Sequence, residues 1–184
     1  VKKYQQTSLK VLTETFRISQ LSRAIDDTDD AILGNDSSIT LKKELIPNLT
    51  VALDYIINFS NELYHPYTNF EGTLTSTDFT FIDDFDVVRE NCKFDDSKGD
   101  VRIFRMQDGQ KVIVNALAGT IDYITGRVQI NNFKPESFVG NSLDIKTIPL
   151  NSDLQAKNNQ IILINEQDIN LSIFDISTTV ESSE

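Results

Sequence analysis

The sequence predicts a mainly β protein of the α+β class, with an antiparallel β-meander or sandwich-like region after a small helical N-terminal portion. Two observations predict this class. Between residues 92 and 133, turn signals that contain glycine recur about every ten residues between runs of alternating apolar and polar residues. Helical periodicity is confined to the beginning of the chain. We therefore divide the chain into a helical or mixed segment (1–45), a mainly antiparallel β domain (46–175) and a mobile tail (176–184).

The N-terminal segment contains one short helical pattern. Three apolar residues fall at helical spacing: Leu21, Ala24 and Ile25. Ser19 precedes them and is expected to cap the helix, because a serine hydroxyl can accept a hydrogen bond from a free amide of the first turn. A weaker helical pattern covers residues 4–15. Residues 39–45 alternate between apolar and polar and predict a strand.

The clearest strand pattern covers residues 49–59. Its apolar side chains occupy every second position: Leu49, Val51, Leu53, Tyr55, Ile57 and Phe59. Because alternate side chains of a strand share one face, this face is expected to be covered along its whole length. Residues 60–72 contain a proline and several turn formers and predict a loop, and a further strand is expected over residues 75–82.

Four glycines divide the meander that follows. Asp108-Gly109 between two alternating runs is typical of a two-residue hairpin, and turns are also expected at Gly99 and Gly119. At Gly126 a left-handed position is expected after a type I turn, so glycine is required there by geometry. Replacing Gly126 with valine should cost about 1–3 kcal/mol through backbone strain.

The remainder of the chain predicts one strand over residues 142–150 and two further strands about residues 165–168. The tail has few apolar residues to bury and is expected to be mobile. The chain opens without a methionine, and we expect it to be part of a longer protein.

The composition excludes several classes of partner. Asp and Glu number 28 against 17 Lys and Arg, which gives a net charge of −11 and argues against free nucleic acid or an anionic membrane as partner. No apolar run is long enough to span a bilayer, and no signal-peptide pattern is present. The single cysteine, Cys92, has no second cysteine to pair with and is expected to be a buried structural thiol.

The sequence contains no recognisable catalytic motif. His65 is the only histidine and lacks the partners of a triad or zinc site, so we expect it in a loop, packed among Tyr64 and Tyr67. Three acidic clusters lack the spacing of a calcium-binding loop and are expected to be solvated turns. They are Asp26-Asp27-Thr28-Asp29-Asp30, Asp83-Asp84-Phe85-Asp86 and Asp95-Asp96-Ser97-Lys98-Gly99-Asp100. We assign no catalytic, cofactor-binding or metal-binding residue, and no cofactor.

Metal is not expected to contribute to stability. A chelator should leave the thermal unfolding midpoint unchanged, because the acidic turns lack a coordinating spacing. Calorimetry with and without chelator tests this, and a large fall in the midpoint would contradict it.

Several stretches of the chain, taken in order, resemble one family. They are FRISQLSRAIDDTDDAIL, INFSNELYHP, FDDSKGDVRIFR, AGTIDYITGRVQINNFKP and NNQIILINEQDINLSIF, from about residue 16 to residue 174. This ordered set resembles the baseplate wedge subunit of contractile-tailed, T-even-like phages, the gene product six family, which is more distantly related to baseplate J-like proteins. Members of that family are several times longer than this chain.

The resemblance implies a virion structural protein and not an enzyme. It implies a subunit that is assembled in the host cytoplasm, forms a homodimer, joins other wedge proteins and builds the inner ring around the tail hub. We expect residues 47–175 to contribute to contacts between copies or with other wedge subunits. One alternative is a carbohydrate- or receptor-binding tail module that uses Tyr64, Tyr67 and Phe70 as a stacking platform. A further alternative is a glycan-cleaving tail enzyme that uses two of the acidic residues.

Overall fold

Residues 15–155, 164 and 166–172 are described by a computed structural model, and strands make up most of their regular structure. The mainly β class is therefore confirmed. In chain order the strands are β1 (Thr15–Phe16), β2 (Leu41–Leu45), β3 (Leu53–Asn58), β4 (Leu74–Ser76), β5 (Phe79–Ile82), β6 (Val88–Ser97), β7 (Asp100–Gln107), β8 (Gln110–Asp122), β9 (Arg127–Phe133), β10 (Ser137–Phe138), β11 (Leu143–Thr147) and β12 (Leu154–Gln155). Within the described residues there is one α-helix, α1 (Ile18–Asp26), and one 3-10 helix (Glu166–Asp168).

Helix α1 begins one residue before the expected cap. Ser19 lies inside its first turn, and the extended residue before the helix is Arg17, whose side chain makes no capping hydrogen bond. The prediction of Ser19 as the cap is therefore wrong. Ile18 and Leu21 pack against the small cluster of Phe16 and Leu154, so burial of apolar side chains places the helix where no cap specifies its start.

The larger sheet has seven strands in the order β10-β5-β6-β7-β8-β9-β3, and every neighbouring pair is antiparallel. The predicted meander is confirmed in β6 to β9. The sheet curls strongly, since Phe133 on β9 contacts the rings of Phe79 on β5 and Phe94 on β6 at centroid distances of 5.2 Å and 4.9 Å. Side chains from the inner face of this curl form the main core.

The smaller sheet has the order β2-β11-β4 and contributes Leu143, Ile145 and Leu74 to the same core. The strands expected over residues 39–45 and 142–150 are present as β2 and β11, which pair with each other. This pairing joins the end of the N-terminal segment to the β region. The domain boundaries given above stay a prediction.

The single strand expected over residues 75–82 is divided between the two sheets as β4 and β5. At the break, the amide and hydroxyl of Thr77 bond to the backbone of Asp144, with an N–H donated to the Asp144 carbonyl at 3.0 Å. The alternation of this segment predicted its strand character correctly. It could not reveal the change of sheet, because the bonding partner lies far along the chain.

The long strand expected over residues 49–59 is shortened to β3. The side chain of Asn48 accepts hydrogen bonds from the amides of Thr50 and Val51 at 2.8 Å and holds a turn before the strand. Val51 is 56% exposed and Leu53 is 43% exposed. The prediction of a covered apolar face is wrong for its first half, whereas Tyr55, Ile57 and Phe59 pack in the core as expected.

Two of the predicted turns are two-residue hairpins with positive φ at both central residues, at Lys98-Gly99 and Asp108-Gly109. These values are those of the type I′ turn that joins twisted strands. Gly126 has φ +70°, as expected. The turn expected at Gly119 is wrong: this residue lies inside β8, where its backbone passes so close to the Gln129 carbonyl that a β-carbon would collide.

Some expectations lie outside the described residues. The weaker helical pattern over residues 4–15 lies there, except for Thr15, which belongs to β1. The tail that was expected to be mobile, residues 176–184, also lies there. Two strands were expected on either side of residues 165–168, and the first lies outside the described residues except for residue 164. The prediction of the second is wrong at residues 169–172, which are irregular, and residues 166–168 form the 3-10 helix.

Candidate functional site

Two adjacent carboxylates of β6, Asp95 and Asp96, are buried, with 3% and 0% of their surface exposed. The prediction that this acidic cluster is a solvated turn is wrong for both residues. Successive side chains of a strand point to opposite faces, so each carboxylate belongs to a separate polar cluster. Asp83 in the second acidic cluster is also buried, whereas the aspartates of the first cluster, near the end of α1, are exposed as expected.

On the outer face, the Arg102 guanidinium bonds to two carboxylates at once. It donates to Asp95 from Nε at 3.1 Å and from Nη2 at 2.6 Å, and to Glu71 from Nη1 at 3.1 Å and from Nη2 at 2.9 Å. Lys111 also pairs with Asp95 and lies 4.6 Å above the Phe104 ring. Two cations therefore balance two carboxylates, and the loop that contains Glu71 is held against the sheet.

Glu71 makes stability depend on pH in the acid range. Hydrogen bonds from Arg102 lower the pKa of Glu71 to about 2, below its ordinary value of 4.5. A carboxyl group whose pKa is lower in the folded than in the unfolded state stabilises the fold when the pH is above its unfolded-state pKa. This contribution is lost as the pH falls through the folded-state pKa. Because 43% of the Glu71 side chain is exposed, we expect Glu71→Gln to cost only about 1 kcal/mol or less at pH 7.

The measurement is the free energy of unfolding of both proteins between about pH 7 and pH 2. Their difference should shrink from about pH 4.5 toward pH 2, and Glu62→Gln, an exposed glutamate of the same loop, serves as the control. A difference that stays constant through this range would contradict the expectation.

On the inner face, Asp96 connects three parts of the fold. Its carboxylate accepts a hydrogen bond from the Leu74 amide of β4 at 2.6 Å and from the Tyr123 hydroxyl at 2.9 Å. The Tyr123 oxygen in turn accepts from the Gly99 amide at 3.2 Å. Burial raises the pKa of Asp96 against the opposing effect of these donors, and burial together with the neighbouring Asp96 charge raises the pKa of Tyr123.

Removing the Tyr123 hydroxyl should destabilise the fold. Tyr123→Phe removes the hydroxyl that donates to Asp96 and that accepts from the Gly99 amide, so both groups lose a hydrogen bond. Because Asp96 is buried, we expect a loss of about 1–3 kcal/mol in the free energy of unfolding. Tyr55→Phe is the matched control, because its hydroxyl accepts a bond from the exposed Asn48 amide. Equal losses in denaturant unfolding of the two variants would contradict this role for the buried hydroxyl.

His65 lies in a loop, as expected, and its ring meets that of Phe70, which itself packs on Tyr64 and Tyr67. The shorter ring contact of His65 is with Tyr123, on which it is stacked. The two rings are 3.8 Å apart and nearly parallel, with an interplanar angle of 12°. They border an open depression of about 410 Å³ that also includes Lys98 and Ile124. Nε2 of His65 is buried and has no hydrogen-bond partner among the described residues, so no carboxylate orients the ring through this nitrogen as in a general base.

The proposed aromatic platform is not flat. Tyr64 and Tyr67 each meet Phe70 edge to face, at interplanar angles of 88° and 89°. The three rings therefore pack on one another and do not present parallel faces side by side. Exposure is highest at Tyr67, at 62%.

Cys92 is fully buried, as expected, and burial raises its thiol pKa to about 11. A thiol of this kind is mostly protonated at neutral pH and is a poor nucleophile. In the part of the chain that the structure describes, no three His, Cys, Asp or Glu side chains form a group that could hold a metal ion. That part also contains no helix that is long and apolar enough to cross a membrane.

The fold and these clusters define a mainly β domain in which buried charged side chains hold strands and loops together. Residues 1–44 of the 184 match the family described as baseplate structural protein gp6, C-terminal domain III. The matched segment includes β1, α1 and most of β2. No curated protein sequence matches the chain. Over this segment the chain is thus similar to a baseplate structural protein, which supports a structural role in a phage tail baseplate.

Sequence reasoning assigned no site, and it missed the pairing of Asp95 with Arg102. A signal was present, because a two-residue turn at Lys98-Gly99 places residues 97 and 100 opposite each other and hence residues 95 and 102. The contacts of Glu71 and Tyr123 had no such signal. Their partners are 31 and 27 residues away along the chain.

Proposed function

We propose that the chain is a non-catalytic structural part of a phage tail baseplate. In this role it contributes to the wedge and to the inner ring around the tail hub, through self-association as a homodimer and contacts with other wedge proteins. It is assembled in the host cytoplasm and resides in the virion. The observation that supports this most directly is the match of residues 1–44 to a baseplate structural family.

The polar chemistry of the described residues agrees with a structural role. Asp95, Asp96 and Arg102 are engaged with one another or with backbone and hydroxyl groups, and their partners lie in different strands or loops. Groups used in this way stabilise the fold and are not free to act on a substrate.

The surface agrees with assembly. In the described residues, several large apolar side chains are more than 70% exposed, among them Leu33, Ile46, Phe85, Leu117, Ile124 and Leu171. Strand β3 is an end strand of the larger sheet, and Ile56 on it is 57% exposed. Exposed strand edges and apolar side chains are the features by which β proteins add neighbours.

The test is to identify the full-length protein in purified virions and to measure its mass in solution over a range of concentrations. We expect it in the baseplate fraction and expect a homodimer in solution. A protein absent from that fraction, or a strict monomer that joins no wedge complex, would contradict the proposal. Binding to a glycan array or turnover of host surface polysaccharide would favour the alternatives instead.

A further inference from the structure

The connection between β5 and β6, residues 83–87, is an unusually well-bonded turn, which we call the Phe85 turn. The Asp83 carboxylate accepts hydrogen bonds from the amides of Phe85 and Val87, both at 3.0 Å. Its second oxygen accepts a bond from Arg89 Nε at 2.7 Å. Asp83 is only 8% exposed, so one buried carboxylate organises the whole turn.

Backbone bonds close the same turn. The Asp83 amide donates to the Val87 carbonyl and the Asp86 amide donates to the Asp83 carbonyl, both at 3.0 Å. Asp86 has φ +58°, a left-handed conformation that aspartate adopts more readily than most residues. The turn is therefore held in one conformation by bonds on both sides.

This fixed turn presents an apolar side chain to solvent. Phe85 is 83% exposed, and the neighbouring Val87 and Val88 are 41% and 54% exposed. Because the backbone of the turn is already fixed, binding costs little backbone conformational entropy, and aromatic residues are enriched in the cores of protein interfaces. Acidic side chains surround it, since Asp84 and Asp86 are both exposed.

We propose that the Phe85 turn docks into another protein of the particle by inserting Phe85 into an apolar pocket whose rim contains Lys or Arg. The phenyl ring requires an apolar pocket, and the exposed carboxylates beside it favour a cationic rim. A second copy of the same turn is a poor partner, because its own carboxylates would repel these. The inference rests on the proposed function, because it places the partner in the baseplate.

The test uses the full-length protein supplied during infection, with Phe85→p-benzoylphenylalanine as a photo-crosslinking variant. The matched control is the same substitution at Val139, which is also 83% exposed but is not held in an acidic turn. Purified particles are irradiated and the crosslinked peptides are identified by mass spectrometry. We expect position 85 to crosslink to a different protein, at a pocket lined by apolar residues and bordered by Lys or Arg.

A second measurement compares the amount of chain per particle for Phe85→Ala and Val139→Ala. We expect a loss of about tenfold or more for Phe85→Ala, as for a central aromatic residue of an interface, and less than about twofold for the control. Asp84→Asn together with Asp86→Asn should give a smaller loss, because the carboxylates act at the rim.

The outcomes separate the two proposals. If the chain is in the particle but position 85 crosslinks only to its own chain, to a second copy or to nothing, the docking inference is wrong and the proposed function stands. Equal incorporation of Phe85→Ala and Val139→Ala would also overturn the inference. If the unaltered chain is absent from particles, the proposed function is wrong and the inference falls with it.

Discussion

Replacing Phe133 with alanine is expected to lower the free energy of unfolding by about 3–5 kcal/mol, the cost of emptying a large buried aromatic site. Phe133 is 1% exposed and its ring contacts those of Phe79, Phe94 and Phe81. These contacts join β9 to β5 and β6 across the curl of the larger sheet. Loss of the ring therefore removes apolar contact and leaves a cavity where the sheet closes on itself.

Equilibrium unfolding in denaturant measures this effect, and Phe85→Ala is the control. Both substitutions remove a phenyl ring, but Phe85 is 83% exposed and should change stability by about 0.5 kcal/mol or less. A loss for Phe133→Ala below about 1 kcal/mol would show that the aromatic cluster does not hold the curl together.

Replacing Gly126 with valine is expected to cost more than the strain of its backbone conformation alone. Gly126 has φ +70°, and a β-carbon there would collide with the backbone carbonyl of Asn61. Strain should cost about 1–3 kcal/mol, and displacement of the Asn61 segment should add about 1–3 kcal/mol. The Gly126 amide also donates to the Asp122 carbonyl at 2.9 Å, so a shift of this turn disturbs the β8–β9 hairpin.

Gly109→Val separates the two contributions. Gly109 has a similar φ of +76°, but no atom lies within 4 Å of a β-carbon built there. It should show the strain without the collision, and so a smaller loss in unfolding free energy than Gly126→Val. Equal losses for the two variants would mean that the Asn61 segment moves aside at no cost.

Local sequence was a good guide wherever the interacting groups are close along the chain. Asp108-Gly109 forms the expected hairpin, and the turn expected at Gly99 is also a two-residue hairpin. Both turns need left-handed conformations, which glycine adopts without steric cost, and the strands that they join are separated by only two residues. The meander, β2, β11 and the short helix follow from the same local patterns. The position of the helix start did not, because packing on Phe16 and Leu154 replaces the expected cap.

The sequence by itself determined the β character of this protein, its main hairpins and the left-handed turn at Gly126, since each depends on conformational preferences of neighbouring residues. Only the tertiary structure decided the roles of Asp96, Glu71 and Gly119. Asp96 is buried because the Tyr123 hydroxyl, from the β8–β9 turn, and the Leu74 amide of β4 satisfy it. Glu71 is ionised beside an arginine 31 residues away. Gly119 is required where a neighbouring strand passes too close for a side chain. These contacts form only when distant segments meet, and no local pattern specifies which segments will do so.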